Sequence, residues 1–268
     1  NTCPICNKIF EAGNGGQLNS VLLGTSGKTG HGINVDGDLK TCAPAGSCHK
    51  GIDNSLGAIS FGVNKPLANA MKAGTMRFLV DMAGYKGEGK PFSLRIYYGN
   101  LTPGSASCDW AKQPCSWLVT QQSMGPKCEP LASFDNAVVS NGKLTAGGPD
   151  EIFALEANLS GDVKPTFYIK GATIHADVEI VDSPGVGKPK LQSLTGIIGG
   201  AMTETAVMTV FNALPEANFK PLTKESALKL VKQLLVLDID VDGDGVKDAA
   251  SLGLQIKGIG AHLLGMSL

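Results

Sequence analysis

Asp240-Val-Asp242-Gly-Asp244-Gly245-Val246-Lys-Asp248-Ala-Ala-Ser251-Leu252-Gly-Leu254-Gln-Ile256-Lys257 is the stretch on which the reading of this chain turns. Three aspartates at alternate positions, then a glycine and a fourth acid, make an oxygen shell for a hard cation. Ca2+ takes roughly six to eight such oxygens, and an EF-hand loop supplies them from positions 1, 3, 5, 7 and 9 around a glycine at position 6. With Asp240 first, those places fall to Asp240, Asp242, Asp244, the Val246 carbonyl and Asp248, with Gly245 at the turn. A register starting at Asp238 puts Val246 at position 9 and is the weaker of the two. Position 12 is Ser251, where an EF-hand has a bidentate glutamate, so the sensor geometry is incomplete. Beyond the loop, Leu252, Leu254 and Ile256 alternate with Gly253, Gln255 and Lys257, which is the period of a strand. Before it, Ala227, Leu230, Val231, Leu234 and Leu235 recur at helical spacing behind Thr223, a good N-cap. The pattern therefore predicts helix, calcium loop, strand. The competing reading is an aspartate-rich turn without an ion.

Working outward, Met76, Phe78, Val80 and Met82 define one face of a strand, and Phe92, Leu94, Ile96 and Tyr98 one face of a second. Residues 84–89 join them as a hairpin, and a short helix at 64–73 precedes them, stopped by Gly74. Further strands are expected at 137–139, 143–146, 152–157, 166–170 and 172–181. Asn141-Gly142 marks a two-residue hairpin turn, residues 184–189 read as a linker, and 194–214 as an apolar, glycine-containing helix. Residues 1–60 read as an irregular, cysteine-containing N-terminal region and 61–268 as a single β-rich domain. A cysteine-bearing insertion at about 100–130 carries both tryptophans, Trp110 and Trp117. The expected class is mainly β with helices: β-sandwich-like antiparallel sheets with a helical layer, closed by the C-terminal strand.

The composition narrows the functional classes. Net charge is -1, and the arginines are Arg77 and Arg95, too few for the phosphate forks and base-edge contacts of a nucleic-acid binder. No apolar run approaches the roughly 20 residues that span a bilayer. The chain starts at Asn1 rather than at a methionine, as expected if a leader has been removed. Seven cysteines occur in local groups: Cys3 and Cys6, Cys42 and Cys48, then Cys108, Cys115 and Cys128. Short-range pairs in Gly/Pro-rich loops indicate disulfides and an oxidising compartment. Cys42 with Cys48 and at least one pair among Cys108, Cys115 and Cys128 are the favoured bridges, and the odd count leaves one cysteine free, lipidated or bonded to another chain. Cys3-Pro-Ile-Cys6 has the redox spacing but no βαβ surroundings. Cys3, Cys6, Cys42 and Cys48 are spaced too widely for a zinc knuckle, and Cys48-His49 lacks the partner of a haem-attachment motif.

Other motifs weaken on inspection. Gly24-Thr-Ser-Gly27-Lys28-Thr29 has two residues between its glycines where a phosphate loop needs four. His175, Asp177 and Glu179 share one face of their strand and read as a solvent-facing polar row. Asn34, Asp36, Asp38 and Asp53-Asn54 are the material for a second calcium site, or a pair of polar turns. Asn100-Leu-Thr102 and Asn158-Leu-Ser160 are glycosylation sequons. Trp110 and Trp117 are expected to pack against the neighbouring disulfides. Nucleophile-elbow and HExxH motifs are lacking.

The segment from Leu237 through Asp248-Ala-Ala-Ser-Leu-Gly253 resembles the terminal part of uncharacterised secreted or lipoprotein-like proteins of myxobacteria and related bacteria. In these an Asp-rich loop runs into a D-A-x-S-x-G stretch and a final strand. Cys48-His-Lys-Gly51-Ile-Asp53-Asn54-Ser-Leu-Gly57 is similar to a second motif of theirs, and the Asp loop alone resembles thrombospondin type 3 repeats. The resemblance implies an extracytoplasmic bacterial protein. The expected role is a Ca2+-stabilised, non-catalytic structural or binding protein of an envelope or extracellular assembly, self-associating or held by an envelope partner. The alternative is a secreted hydrolase or carbohydrate-active protein.

Overall fold

The computed structural model describes residues 14–25, 31–43, 50–156, 166–181 and 190–267. Ten strands occur among them: β1 (Gly15–Leu23), β2 (Phe78–Ala83), β3 (Phe92–Leu101), β4 (Ser116–Val119), β5 (Ser133–Ser140), β6 (Lys143–Gly147), β7 (Ile152–Glu156), β8 (Thr166–Ile180), β9 (Leu191–Thr203) and β10 (Ala249–Met266). Three α-helices accompany them, α1 (Ser60–Ala73), α2 (Glu204–Ala213) and α3 (Lys224–Leu234). The fold is mainly β with helices, as expected, but the architecture is a barrel and not a sandwich. Pairing runs β1–β2–β3–β5–β6–β8–β9–β10 and returns to β1, every step antiparallel. Alternation along each strand reports one buried face, which a sandwich and a barrel share. The difference lies in the closing pairs, such as Gly15 with Ala261.

Alternate residues of the shared wall serve two cores. Phe78, Val80, Leu94, Ile96 and Leu18 point into the large barrel. Their neighbours Leu79 and Tyr97 point the other way, onto Trp117, Val119, Ala261 and Leu263. There β4 pairs antiparallel with β3 and parallel with β10, closing a second ring β1–β2–β3–β4–β10 on the back of the first. The cysteine-bearing insertion therefore lids a second small core. Trp110 and Trp117 meet edge to face within it, centroids 6.4 Å apart, beside Cys108 and Cys115.

Several local signals act as read. Gly74 closes α1 in the left-handed conformation at φ 70°, donating to the Ala70 and Met71 carbonyls. Asn141 and Gly142 take φ of 50° and 70°, the two positive angles of a tight hairpin between β5 and β6. Thr223 caps α3, its hydroxyl accepting from the Ser226 amide. The two strands expected at 166–170 and 172–181 are one, β8, with an irregularity between Lys170 and Thr173 at Gly171.

Two expectations are corrected. Residues 194–214 are not one helix: β9 runs to Thr203, where the side chain caps α2 by accepting from Ala206, with Glu204 in the first turn. Gly196, Gly199 and Gly200 in that run weigh against a helix and suit a strand approached closely by other chain. A Cβ on Gly199 would fall 2.1 Å from Ile33, and one on Gly196 2.3 Å from the His175 carbonyl oxygen. The N-terminal region is not irregular throughout either, because β1 lies in both rings. Gly15 and Gly16, against Leu263 and Leu191, disguise it by replacing the usual β-branched residues.

Cys108 and Cys115 form a disulfide with Cα atoms 6.1 Å apart. Cys42 and Cys128 are disulfide-bonded too, neither of them to this pair, and both are among the described residues. Cys3, Cys6 and Cys48 lie outside them, so the expected bridge of Cys42 with Cys48 does too, as do Gly27–Thr29 of the phosphate-loop lookalike (27–29), the Asn158 sequon and the linker at 184–189. With a sequence separation of 7, replacing Cys108 and Cys115 by serine should lower the unfolding free energy by about 2.5 kcal/mol, read from urea unfolding of oxidised and double-variant protein.

Candidate metal centre

The acidic loop hangs between a helix and the last strand, as its pattern predicts. An isolated bridge between Ile239 and Ala249 ties its ends together, with the Asp248 amide donating to the Ile239 carbonyl at 3.0 Å. Within the loop Asp240 acts as the hub. Its Oδ1 accepts from Gly243 N at 2.7 Å and from Asp242 N at 3.4 Å, and its Oδ2 accepts from Gly245 N at 2.8 Å. These amides, Gly245 foremost, hold its carboxyl below the usual range, so it stays ionised. Gly243 and Gly245 adopt φ of 79° and 89°, left-handed values that let the chain wrap around that hub. Asp242 and Asp244 repeat the pattern, accepting from Asp244 N at 3.3 Å and Val246 N at 2.8 Å.

Asp240, Asp242 and Asp244 are exposed, and one carboxylate oxygen of each lies within 4.8 Å of the others. That spacing suits three oxygens at about 2.3–2.6 Å from a shared Ca2+. Among the described residues no other group of three acids, histidines or cysteines converges in this way. Asp248, the fourth expected ligand, is outside the trio: its Oδ1 accepts from Val241 N at 3.2 Å and braces the loop's base. Val246, expected to give its carbonyl, has a 61 % exposed side chain, so the packing of that side chain does not explain its place in the loop. Ser251, at the twelfth position, is fully buried and turns away from the loop. Its amide and hydroxyl donate to the two oxygens of Asp238 at 2.7 and 2.6 Å. The register that begins with Asp240 is the one whose acids converge, and Asp238 lies outside their group. Burial pushes its carboxyl up against these bonds.

A second loop repeats the first. Ile33-Asn34-Val35-Asp36-Gly37-Asp38 matches Ile239-Asp240-Val241-Asp242-Gly243-Asp244 at five of six positions, a repeat visible in the sequence but not recognised from it. The geometry repeats as well. Gly37, also at φ 79°, donates to Asn34 Oδ1 at 2.7 Å, and Asp38 N donates to Asp36 Oδ1 at 2.8 Å. An Ile33–Asp53 bridge closes this loop as Ile239–Ala249 closes the other. Asp53 caps the Val35 amide as Asp248 caps Val241. Val35 and Val241 pack on one small cluster of Ala201, Ile239 and Ala249. The copies then diverge. Asn34 stands where Asp240 does, the Thr41 hydroxyl donates to Asp36, and Asp53 is 2 % exposed, its carboxyl raised to about 6 chiefly by burial. The second loop is thus held by hydrogen bonds, whereas the first gathers three charges with no cationic side chain in the group.

The segments around Asn54 and around Ser251 meet beneath these loops. Asn54 donates to the carbonyls of Gly24 and His31, both at 2.9 Å, and accepts from Gly253 N at 3.0 Å. Ser55 N donates to Ser251 Oγ at 2.9 Å, and Ser55 Oγ to the Val236 carbonyl at 2.6 Å. His175, Asp177 and Glu179 are solvent-facing as expected, with Asp177 ion-paired to Lys143. No helix among the described residues is long and apolar enough to cross a membrane. No family model, curated protein or solved structure matches this chain.

Proposed function

We infer that the 240–248 loop binds Ca2+ and that the protein is a non-catalytic structural or binding component of a bacterial envelope or extracellular assembly. The convergence of the Asp240, Asp242 and Asp244 carboxylates carries this reading. An all-oxygen set on an exposed, glycine-hinged loop favours Ca2+, which accepts flexible geometry, over Mg2+, which demands a near-octahedral shell. The ion offsets the mutual repulsion of three like charges and stiffens the joint between α3 and β10, which pairs with three neighbours. The disulfides at Cys42, Cys108, Cys115 and Cys128 support an oxidising location. The bracing position of the acids favours a structural role over catalysis.

Binding to the native state alone adds about 2.7 kcal/mol of stability at a hundredfold excess over Kd. Ca2+-loaded protein should melt at a lower temperature after EDTA treatment, and Asp242→Ala should remove the difference. Identical melting with and without chelator, in protein shown by elemental analysis to start loaded, would refute Ca2+ stabilisation. Sedimentation of the native protein addresses the role: self-association supports it, while a strict monomer that hydrolyses a glycan or ester defeats it.

A further inference from the structure

One end of the large barrel is not filled by its own side chains. A cavity of about 90 Å³ lies among β1, β8, β9, β10, α1 and α2, bounded by eighteen residues that include Leu67, Phe78, Ile169, Val207, Phe211 and Leu252. Every one is apolar. Val63 and Pro66 of α1 and Leu254 of β10 are the partly exposed members of the wall, and the α1 pair is taken as its mouth. Close packing is the rule inside proteins, and voids larger than a water molecule are few. Here the space persists beside four valines, Val21, Val63, Val207 and Val210, where bulkier aliphatic residues would close it. Wholly apolar cavities of this order stay dry and take up apolar guests.

We propose that this cavity is a binding site for the end of an unbranched hydrocarbon chain. The wall offers no partner to a hydroxyl, amide or charge, which excludes sugars, nucleotides and peptide backbone from its interior. A flexible polymethylene end can conform to so small a volume among so many apolar side chains, which a rigid ring can enter only where the space already has its shape. The polar end of the guest remains at the Val63 and Pro66 side, in water. The site is separate from the acidic loop and does not depend on Ca2+ there.

Straight-chain alcohols from ethanol to octanol are the probes, with binding followed by methyl NMR of the valines and leucines. Each methylene that enters the wall should tighten Kd about fourfold, until the cavity is full and the gain levels off. Shifts should concentrate on Val207, Val210 and Leu252. Val207→Trp should fill the space and weaken binding at least roughly tenfold, with Val63→Phe at the mouth as the second variant should the first not fold. Flotation with phosphatidylcholine vesicles separates the sources of the chain. Wild-type protein that floats while a filled variant does not takes a bilayer acyl chain; protein that binds alcohols without floating takes a free one. Affinity that climbs without levelling, tighter binding of benzyl alcohol than of hexanol, or equal binding by a folded filled variant would overturn the site.

Discussion

Gln17→Leu is expected to destabilise the protein by roughly 4 kcal/mol, although it exchanges one buried side chain for another of similar size. Gln17 is 1 % exposed at the centre of the second ring, where strand alternation would place an apolar residue. Its Oε1 accepts from Trp117 Nε1 at 2.6 Å and from Cys115 N at 3.2 Å. Its Nε2 donates to the carbonyls of Trp110 and Gln113. One side chain on β1 thus satisfies four groups of the insertion and pins it to the barrel. Leucine restores the volume but leaves the Trp117 and Cys115 donors buried without a partner, at about 1–3 kcal/mol each, besides losing the two carbonyl bonds. For a chain of this length the melting temperature should fall by roughly 8–16 °C. Both tryptophans lie in the affected cluster, so urea unfolding followed by their fluorescence reads the change directly. A loss below about 1 kcal/mol would mean that the insertion is held by apolar packing alone.

Where the chemistry is local, the sequence is readable. Alternation predicted β2, β3 and β10, the Asn141-Gly142 turn and the Thr223 cap followed from side-chain hydrogen bonding and backbone preference, and the helix–loop–strand order at the C-terminus came from a change of period. Closure of the barrel was not readable, since the Gly15–Ala261 and Phe92–Ala137 pairings leave no mark on either partner. Glycine caused both misread elements. In β1 and β9 it stands where another stretch of backbone or a leucine comes too near for a Cβ, and the strand loses the branched residues by which strands are recognised. At the candidate metal centre Asp240, Asp242 and Asp244 converge as their spacing implied. Asp248 lies outside their group, its Oδ1 turned to the Val241 amide at the loop's base. The twin loop shows how little separates the two outcomes: the same turn with Asn34, a Thr41 hydroxyl and a buried Asp53 does not gather three carboxylates.

Asn54→Ala should cost about as much as the Gln17 change, again roughly 4 kcal/mol, for a different reason. Segments 31–34 and 50–55 cross the outside of β9 and β10 at Gly199 and Gly253, where a Cβ on Gly253 would sit 2.3 Å from the His31 carbonyl oxygen. Backbone this close to a sheet brings amides and carbonyls that the ladder cannot satisfy. Asn54, 2 % exposed, resolves three of them with one amide, donating to Gly24 and His31 and accepting from Gly253. Only a neutral amide has both donors and an acceptor on so short a stem, so Asn54→Asp should be at least as damaging as alanine: it keeps an acceptor for Gly253 but turns a carboxylate toward two carbonyls. Guanidinium unfolding of the three proteins provides the measurement. An aspartate variant near wild-type stability would show that the Gly24 and His31 bonds contribute little. An alanine variant near wild type would show that water enters and satisfies the crossing, and that the motif around Asn54 serves something other than the fold.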